Sequence, residues 1–244
     1  MNKLGLQMYT VRELLSADTR GTIEKVKKIG YNSIQLAGNL ELMEKTAIIA
    51  KELDIHVIGI MSNINNCEEK SEKLFEICRI CNATDIGIGT GAVTYDEVME
   101  FVEHANSFAE TAAKEGITVS YHNHSHEFMK TEAGKTVMQL YSENLKCINF
   151  MLDTYWIQHG GADIRKTIED FKGRVKILHL KDMIRVHEGQ TFAPVGSGNL
   201  YFEGIIETAK KCGIENFYIE QDICLENPLV CMEKSYNYVK ELIK

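Results

Sequence analysis

Along the chain, short apolar runs alternate with longer stretches in which apolar residues return every three or four positions. The short runs predict strands over residues 4–9, 33–36, 56–61, 84–88, 148–153, 175–180 and 217–220. A further strand opens the stretch 116–128. There the β-branched run Ile117-Thr118-Val119 leads into Ser120-Tyr121-His122-Asn123-His124-Ser125-His126-Glu127-Phe128. The longer stretches predict helices over 22–29, 41–53, 67–82, 95–115, 133–141, 164–171, 202–212 and 230–243. Gly30, Gly116, Gly173 and Gly213 stand where four of these helices should stop. Strand-then-helix units of about 30 residues each, eight in succession, predict an α/β protein: a single TIM-barrel domain of the (β/α)8 type over residues 1–244. An open doubly wound sheet fits less well. The first strand-helix turn has no G-x-G-x-x-G, and Gly196-Ser197-Gly198 does not closely follow a strand.

Composition narrows the picture. The 244 residues, 44% hydrophobic and 25% charged, suffice for a large core, and no low-complexity linker marks a domain boundary. A net charge of -8 speaks against a basic nucleic-acid track. No apolar run reaches the roughly 18 residues of a membrane span. Met1-Asn2-Lys3-Leu4-Gly5-Leu6 lacks a signal-peptide core, so the expected location is cytoplasmic. The seven cysteines are scattered and should be reduced and mostly buried. Cys78 and Cys81 form a C-x-x-C, but inside a helical pattern and without a second pair at zinc-finger spacing.

In a barrel of this kind chemistry sits at the C-terminal ends of the strands. Four consecutive predicted strand ends carry ionisable groups: His122 and His124, then Asp153, His179 and Glu220. Alternation along a strand points His122 and His124 to one side, with Tyr121 and Asn123 toward the helical layer. A single histidine at a strand end is ordinarily a hydrogen-bonded polar residue. Carboxylates following an apolar run are costly unless paired or metal-bound. Together these residues make a mixed nitrogen and oxygen donor set suited to Mn2+, Zn2+, Co2+ or Fe2+. Whether His122 or His124 is the ligand stays open at this level.

Leu4 to Arg12, Tyr121-His122-Asn123-His124 with Glu127-Phe128, His179-Leu180-Lys181-Asp182, Ala193-Pro194-Val195-Gly196-Ser197-Gly198 and Glu220-Gln221-Asp222 resemble, in order and spacing, the xylose-isomerase-like TIM-barrel superfamily. Within it the chain looks most like the sugar phosphate isomerase/epimerase group, with similarity to inosose dehydratases in the Lys181-Asp182 and Glu220-Gln221-Asp222 pieces. The resemblance implies one divalent metal, manganese foremost, with ligands Glu, Asp, His and Glu in many members. Carried over, these fall on His122, Asp153, His179 and Glu220, so the first position departs from the pattern. Trp156 is a second departure, standing where ketose epimerases often carry a histidine.

The resulting expectation is a metal-dependent sugar isomerase or epimerase. It would act on a keto- or hydroxy-sugar through an enediolate that the metal stabilises. Glu220 is the expected base, its pKa tuned upward by burial. His124 or Glu127 would return the proton, and Lys181 would bond a substrate carbonyl or hydroxyl. Gln7, Tyr9 and Trp156 are the expected substrate contacts. Loss of a β-hydroxyl from the same enediolate would make the protein a dehydratase instead. A non-catalytic sugar-binding protein is the third reading. A DNA-repair endonuclease on the same barrel is disfavoured, because the third strand ends Met61-Ser62-Asn63 without a histidine. The expected partner is a small-molecule sugar, with no nucleic acid and no membrane, and homo-oligomerisation stays open. Gly196-Ser197-Gly198 reads as a loop that lets the chain approach the site closely. As a phosphate site it lacks an adjoining Arg/Lys cluster.

Overall fold

In the computed structural model, which describes residues 3–244, eight parallel strands close into a barrel. Met1 and Asn2, at the head of the signal-peptide reading, lie outside the described residues. In chain order the strands are β1 (Lys3–Gln7), β2 (Ser33–Leu36), β3 (His56–Met61), β4 (Asp85–Ile88), β5 (Thr118–His122), β6 (Ile148–Asp153), β7 (Val175–Leu180), the hairpin pair β8 (Asp182–Val186) and β9 (Gly189–Ala193), and β10 (Asn216–Ile219). The barrel runs β1-β10-β7-β6-β5-β4-β3-β2, while β8 and β9 pair antiparallel outside it. The chain is thus a single (β/α)8 TIM barrel. Among the described residues no helix is long and apolar enough to cross a membrane.

Local sequence explains most element ends. Thr94 and Glu97 form a reciprocal cap at the start of the helix Tyr95–Lys114. Asp18 accepts from the Gly21 amide and starts the helix Thr19–Ile29 three residues before the predicted position. The predicted helix 67–82 is two helices, Ile64–Glu69 and Ser71–Cys81, the second ended by Asn82 in the left-handed region at φ 54°. Cys78 and Cys81 are both buried in that second helix, and burial pushes the Cys78 thiol up to about 12. The helix predicted over 133–141 is Val137–Asn144, because a turn tied by the Lys130–Thr136 bridge precedes its Thr136 cap. The helices Arg12–Ala17 and Thr154–His159 and the β8–β9 hairpin carry little periodicity and escape the pattern reading.

Strand alternation sorts the side chains into two layers. Outward residues such as Tyr121 and Phe150 join the core between sheet and helices, where Tyr121 meets Phe101, Tyr141 and Phe150. Ile58, Met151, Ile177 and Tyr218 form a separate cluster inside the barrel. Gly5 lies in register with Tyr218, and a Cβ at Gly5 would meet that ring at 2.2 Å. Because Tyr218 is fully buried, the ring has nowhere to retreat. Gly5→Ala should therefore lower stability by about 1–3 kcal/mol, read by urea denaturation. Above this apolar floor the interior turns polar, and the candidate chemistry begins there.

Candidate metal centre

Parallel register brings distant residues to one level. Asp153 ends β6 in register with His179 of β7, His122 ends β5, and Glu220 follows β10. One ligand atom from each of His122, Asp153, His179 and Glu220 lies within 4.8 Å of the others, and all four residues are buried. His122 Nε2 stands 3.5 Å from Asp153 Oδ2, and His179 Nδ1 stands 3.1 Å from Glu220 Oε2. Each of these four atoms is buried without a hydrogen bond. Four buried atoms converging without hydrogen bonds are costly; the Lys181 ammonium faces the two oxygens, and a cation would serve all four. Two imidazole nitrogens and two carboxylate oxygens fit a divalent transition metal.

Lys181 completes the electrostatics. Its ammonium, 1% exposed, lies 2.9 Å from Asp153 Oδ2, 3.0 Å from Glu220 Oε2 and 2.9 Å from Asp222 Oδ1. These contacts are Coulombic, since the carboxylate atoms lack hydrogen-bond geometry to it. Burial works to raise the Asp153 carboxyl, but Lys181 and His122 outweigh it and hold it below its ordinary value. Glu220 is likewise opposed by burial, yet Lys181 and His179 hold it well below the usual carboxylate range. The expected upward tuning of Glu220 is therefore reversed: a buried ammonium 3.0 Å away prevails over desolvation. Burial would discharge Lys181, but the three carboxylates raise its pKa and keep it charged. Burial lowers His179, and burial with the neighbouring His122 lowers His124 to about 3, so both imidazoles are neutral at pH 7.

The remaining candidates divide. His124 stands at the mouth, its ring 5.0 Å from that of His122 and 5.4 Å from that of Trp156. All three line a cavity of about 620 Å³ together with Met61, Thr90 and His126. Trp156 also packs against Phe192 of β9, which makes the hairpin part of the wall. An adjoining groove of about 470 Å³ shares Thr90 and Gly91 with this cavity but holds none of the four converging residues. Tyr9, 42% exposed, is on the rim, with the Arg12 guanidinium 4.3 Å above its ring. Arg12 itself is bonded to the Tyr9 and Asp222 carbonyls.

Two of the expected residues are engaged within the chain. Gln7 is 1% exposed, and each end of its amide makes a bond, with Tyr9 N and Gln35 Oε1. Glu127 has no exposed surface, and it accepts from Tyr121 OH at 2.6 Å and His124 N at 2.9 Å. These bonds tie it to the His124 loop. Of the group His124, His126 and Glu127, His126 Nε2 is bonded to Thr90 O and both Glu127 oxygens accept bonds within the chain.

Sequence reading missed two groups. Gln35 contacts His179, and its signal was an amide inside the apolar run Ser33–Leu36. Asp182 accepts four backbone N–H groups: Gly196 at 3.0 Å and Gly198 at 2.8 Å on Oδ2, Met183 at 2.7 Å and Leu200 at 3.2 Å on Oδ1. The Gly196 and Gly198 amides thus face a carboxylate that the chain supplies, while the Ser197 amide donates to Pro194 O. A Cβ at Gly198 would meet Asp182 Oδ1 at 2.4 Å, which is why glycine stands there.

A family model described as xylose isomerase-like TIM barrel matches residues 23–226. The inosose dehydratase of Clostridium perfringens is 26% identical over 178 residues, 65% of this chain and 59% of that protein. The chain thus spans about three-fifths of the length of that curated relative. Among solved structures, a sugar phosphate isomerase/epimerase from Parabacteroides distasonis superposes with a TM-score of 0.85 at 21% identity, covering 100% of this chain and 96% of that one. A probable 3-DHS dehydratase from Bacillus anthracis gives a TM-score of 0.76 at 17% identity, covering 98% and 99%. At such identities these two structures show a shared fold.

Proposed function

The chain belongs to the xylose isomerase-like TIM-barrel family, and on that premise we propose that it is a metal-dependent dehydratase of polyhydroxylated ketones, keto-sugars or inososes. His122, Asp153, His179 and Glu220 would hold the ion. A divalent cation there supplies Lewis acidity to a substrate carbonyl and its neighbouring oxygen. Manganese is the first candidate and Zn2+, Co2+ or Fe2+ the others, because the donor set is mixed.

Glu220 takes the proton from the carbon next to the carbonyl and leaves an enediolate. The same carboxyl then gives that proton to the adjacent β-hydroxyl, which departs as water. A carboxyl held well below its ordinary pKa returns a proton readily. Lys181 Nζ, 3.0 Å from Glu220 Oε2, would donate a hydrogen bond to a substrate oxygen, and His124 and Trp156 would shape the mouth.

The observation that carries the choice is the asymmetry of the site. Epimerisation through two faces needs a second group able to give up a proton opposite Glu220. The cavity is lined by the imidazoles of His122 and His124, and burial with the neighbouring His122 lowers His124 to about 3, so it carries no acidic proton to give. The similarity to an inosose dehydratase favours the same outcome. The second reading, isomerisation or epimerisation, shares the first step; isomerisation asks only that Glu220 carry the proton to the neighbouring carbon, whereas epimerisation needs the second group.

Proton NMR in D2O on Mn2+-loaded protein, across a panel of keto-sugars and inososes, separates these readings. We expect α-proton exchange together with loss of water to an unsaturated product. Exchange with a new isomer and no loss of water would move the protein to the second reading. Tight binding with neither exchange nor conversion would make it a sugar-binding protein.

A further inference from the structure

Two side chains, Gln7 and Gln35, join the barrel rim to His179. The Tyr9 backbone N–H donates to Gln7 Oε1 at 3.1 Å, and Gln7 Nε2 donates to Gln35 Oε1 at 2.7 Å. Gln35 Oε1 also stands 2.7 Å from His179 Nε2. At its other end Gln35 Nε2 points to the thioethers of Met151 at 3.2 Å and Met61 at 3.5 Å. Gln7, Gln35 and His179 are each at most 1% exposed, so no water competes for these bonds.

The chain of bonds has only one direction. A backbone N–H can donate but not accept, so Gln7 must turn its oxygen to Tyr9 and its NH2 to Gln35. Gln35 must then turn its oxygen toward Gln7, and two sulfurs that can only accept receive its NH2. An amide oxygen cannot donate, so the proton of the neutral His179 ring has to sit on Nε2. The opposite nitrogen, Nδ1, is left bare where it converges with the other three candidate ligand atoms.

There is a competitor for that proton. Glu220 Oε2 lies 3.1 Å from His179 Nδ1 and would accept a hydrogen bond from it. A ring protonated on Nδ1 would place hydrogen where a cation must bind. We propose that Gln35 is a positioning residue which wins this competition: it holds the His179 proton on Nε2 and keeps Nδ1 free for the metal, and Gln7 serves by fixing which way the Gln35 amide faces. The cation in this inference rests on the proposed function, whereas the ring state does not.

The test reads the ring directly. In metal-free protein with 15N-labelled histidine, two-bond 15N–1H correlations distinguish the two tautomers. Parent protein should show His179 protonated on Nε2. Gln35→Met, close in shape but without an acceptor, should move the proton to Nδ1 and weaken Mn2+ binding about 10–100-fold by calorimetry. Gln35→Glu keeps an acceptor facing Nε2 and should retain both the tautomer and affinity within a few-fold of the parent. An Nδ1-protonated ring in the parent overturns the inference, whether or not the variants fold. So does a Gln35→Met protein that keeps the Nε2 proton and binds Mn2+ as tightly as the parent. A parent that binds no metal but shows the Nε2 tautomer defeats the proposed function and leaves the ring assignment standing.

Discussion

Asp153→Asn should abolish stoichiometric metal binding while leaving the barrel folded. Asp153 has two separable tasks. Its Oδ1 accepts from Trp156 N at 3.1 Å and so starts the helix Thr154–His159, and its Oδ2 faces His122 and Lys181 in the cluster. An asparagine oxygen can keep the first bond, because Asn caps helices as well as Asp. The second position becomes an NH2, which carries no charge and points donor hydrogens at a cation. Breaking a buried charged pair costs about 3–5 kcal/mol, equivalent to about 10²–10⁴-fold in metal affinity at 1.4 kcal/mol per decade. Elemental analysis after desalting should find about one equivalent of divalent metal in the parent and next to none in the variant. Turnover should fall in step, and circular dichroism should be unchanged. A variant that keeps its metal would remove Asp153 from the ligand set. Asp153→Ala is the less clean experiment, since it also loses the helix cap, at about 1 kcal/mol.

Asp182→Ala, at the start of β8, should strongly destabilise the loop that follows the hairpin. The carboxylate is fully buried and accepts from Met183, Gly196, Gly198 and Leu200. Alanine would take the acceptor from four part-buried amide bonds, each worth at most about 1–3 kcal/mol. Partial opening of residues 194–200 to water limits the sum, so a net loss of about 3–5 kcal/mol is expected. For a chain of this length that is a fall in melting temperature of about 6–20 °C. Asp182→Asn should fall between parent and alanine, because one oxygen still accepts. Burial raises the Asp182 carboxyl against the pull of its four amides. A melting temperature within 2–3 °C or so of the parent would show that the loop is held by other contacts. Because the hairpin carries Phe192 against Trp156, loosening this loop should also disturb the wall of the mouth cavity.

How much of this was legible beforehand differs by element. The eight barrel strands follow from apolar runs, and β2, β3, β6 and β7 lie where the runs place them. That holds because a strand buried on both faces must be continuously apolar. The hairpin was not legible: it is short, half-exposed and has no core of its own to impose a pattern. At the site, His122, Asp153, His179 and Glu220 stood out as polar groups ending apolar runs. Gln7 stood out for the same reason, yet its role differs, because a sequence does not show which partners already occupy an amide.

The chain's alternation of apolar and polar residues therefore determined the barrel, the order of its strands and the level at which ionisable groups collect. Those are consequences of local periodicity and of burial, which act on each segment separately. Only the closed barrel decided how the groups meet. Lys181 reverses the expected shift of Glu220 because it lies 3.0 Å away, at the end of the strand next to β10. Glu127 is held beneath the His124 loop because Tyr121 and the His124 amide claim its oxygens. His179 can offer Nδ1 because Gln35, 144 residues earlier, takes its other side. Pairwise electrostatics and hydrogen-bond direction depend on separations of a few ångströms, and such separations between distant residues come into being only when the barrel closes.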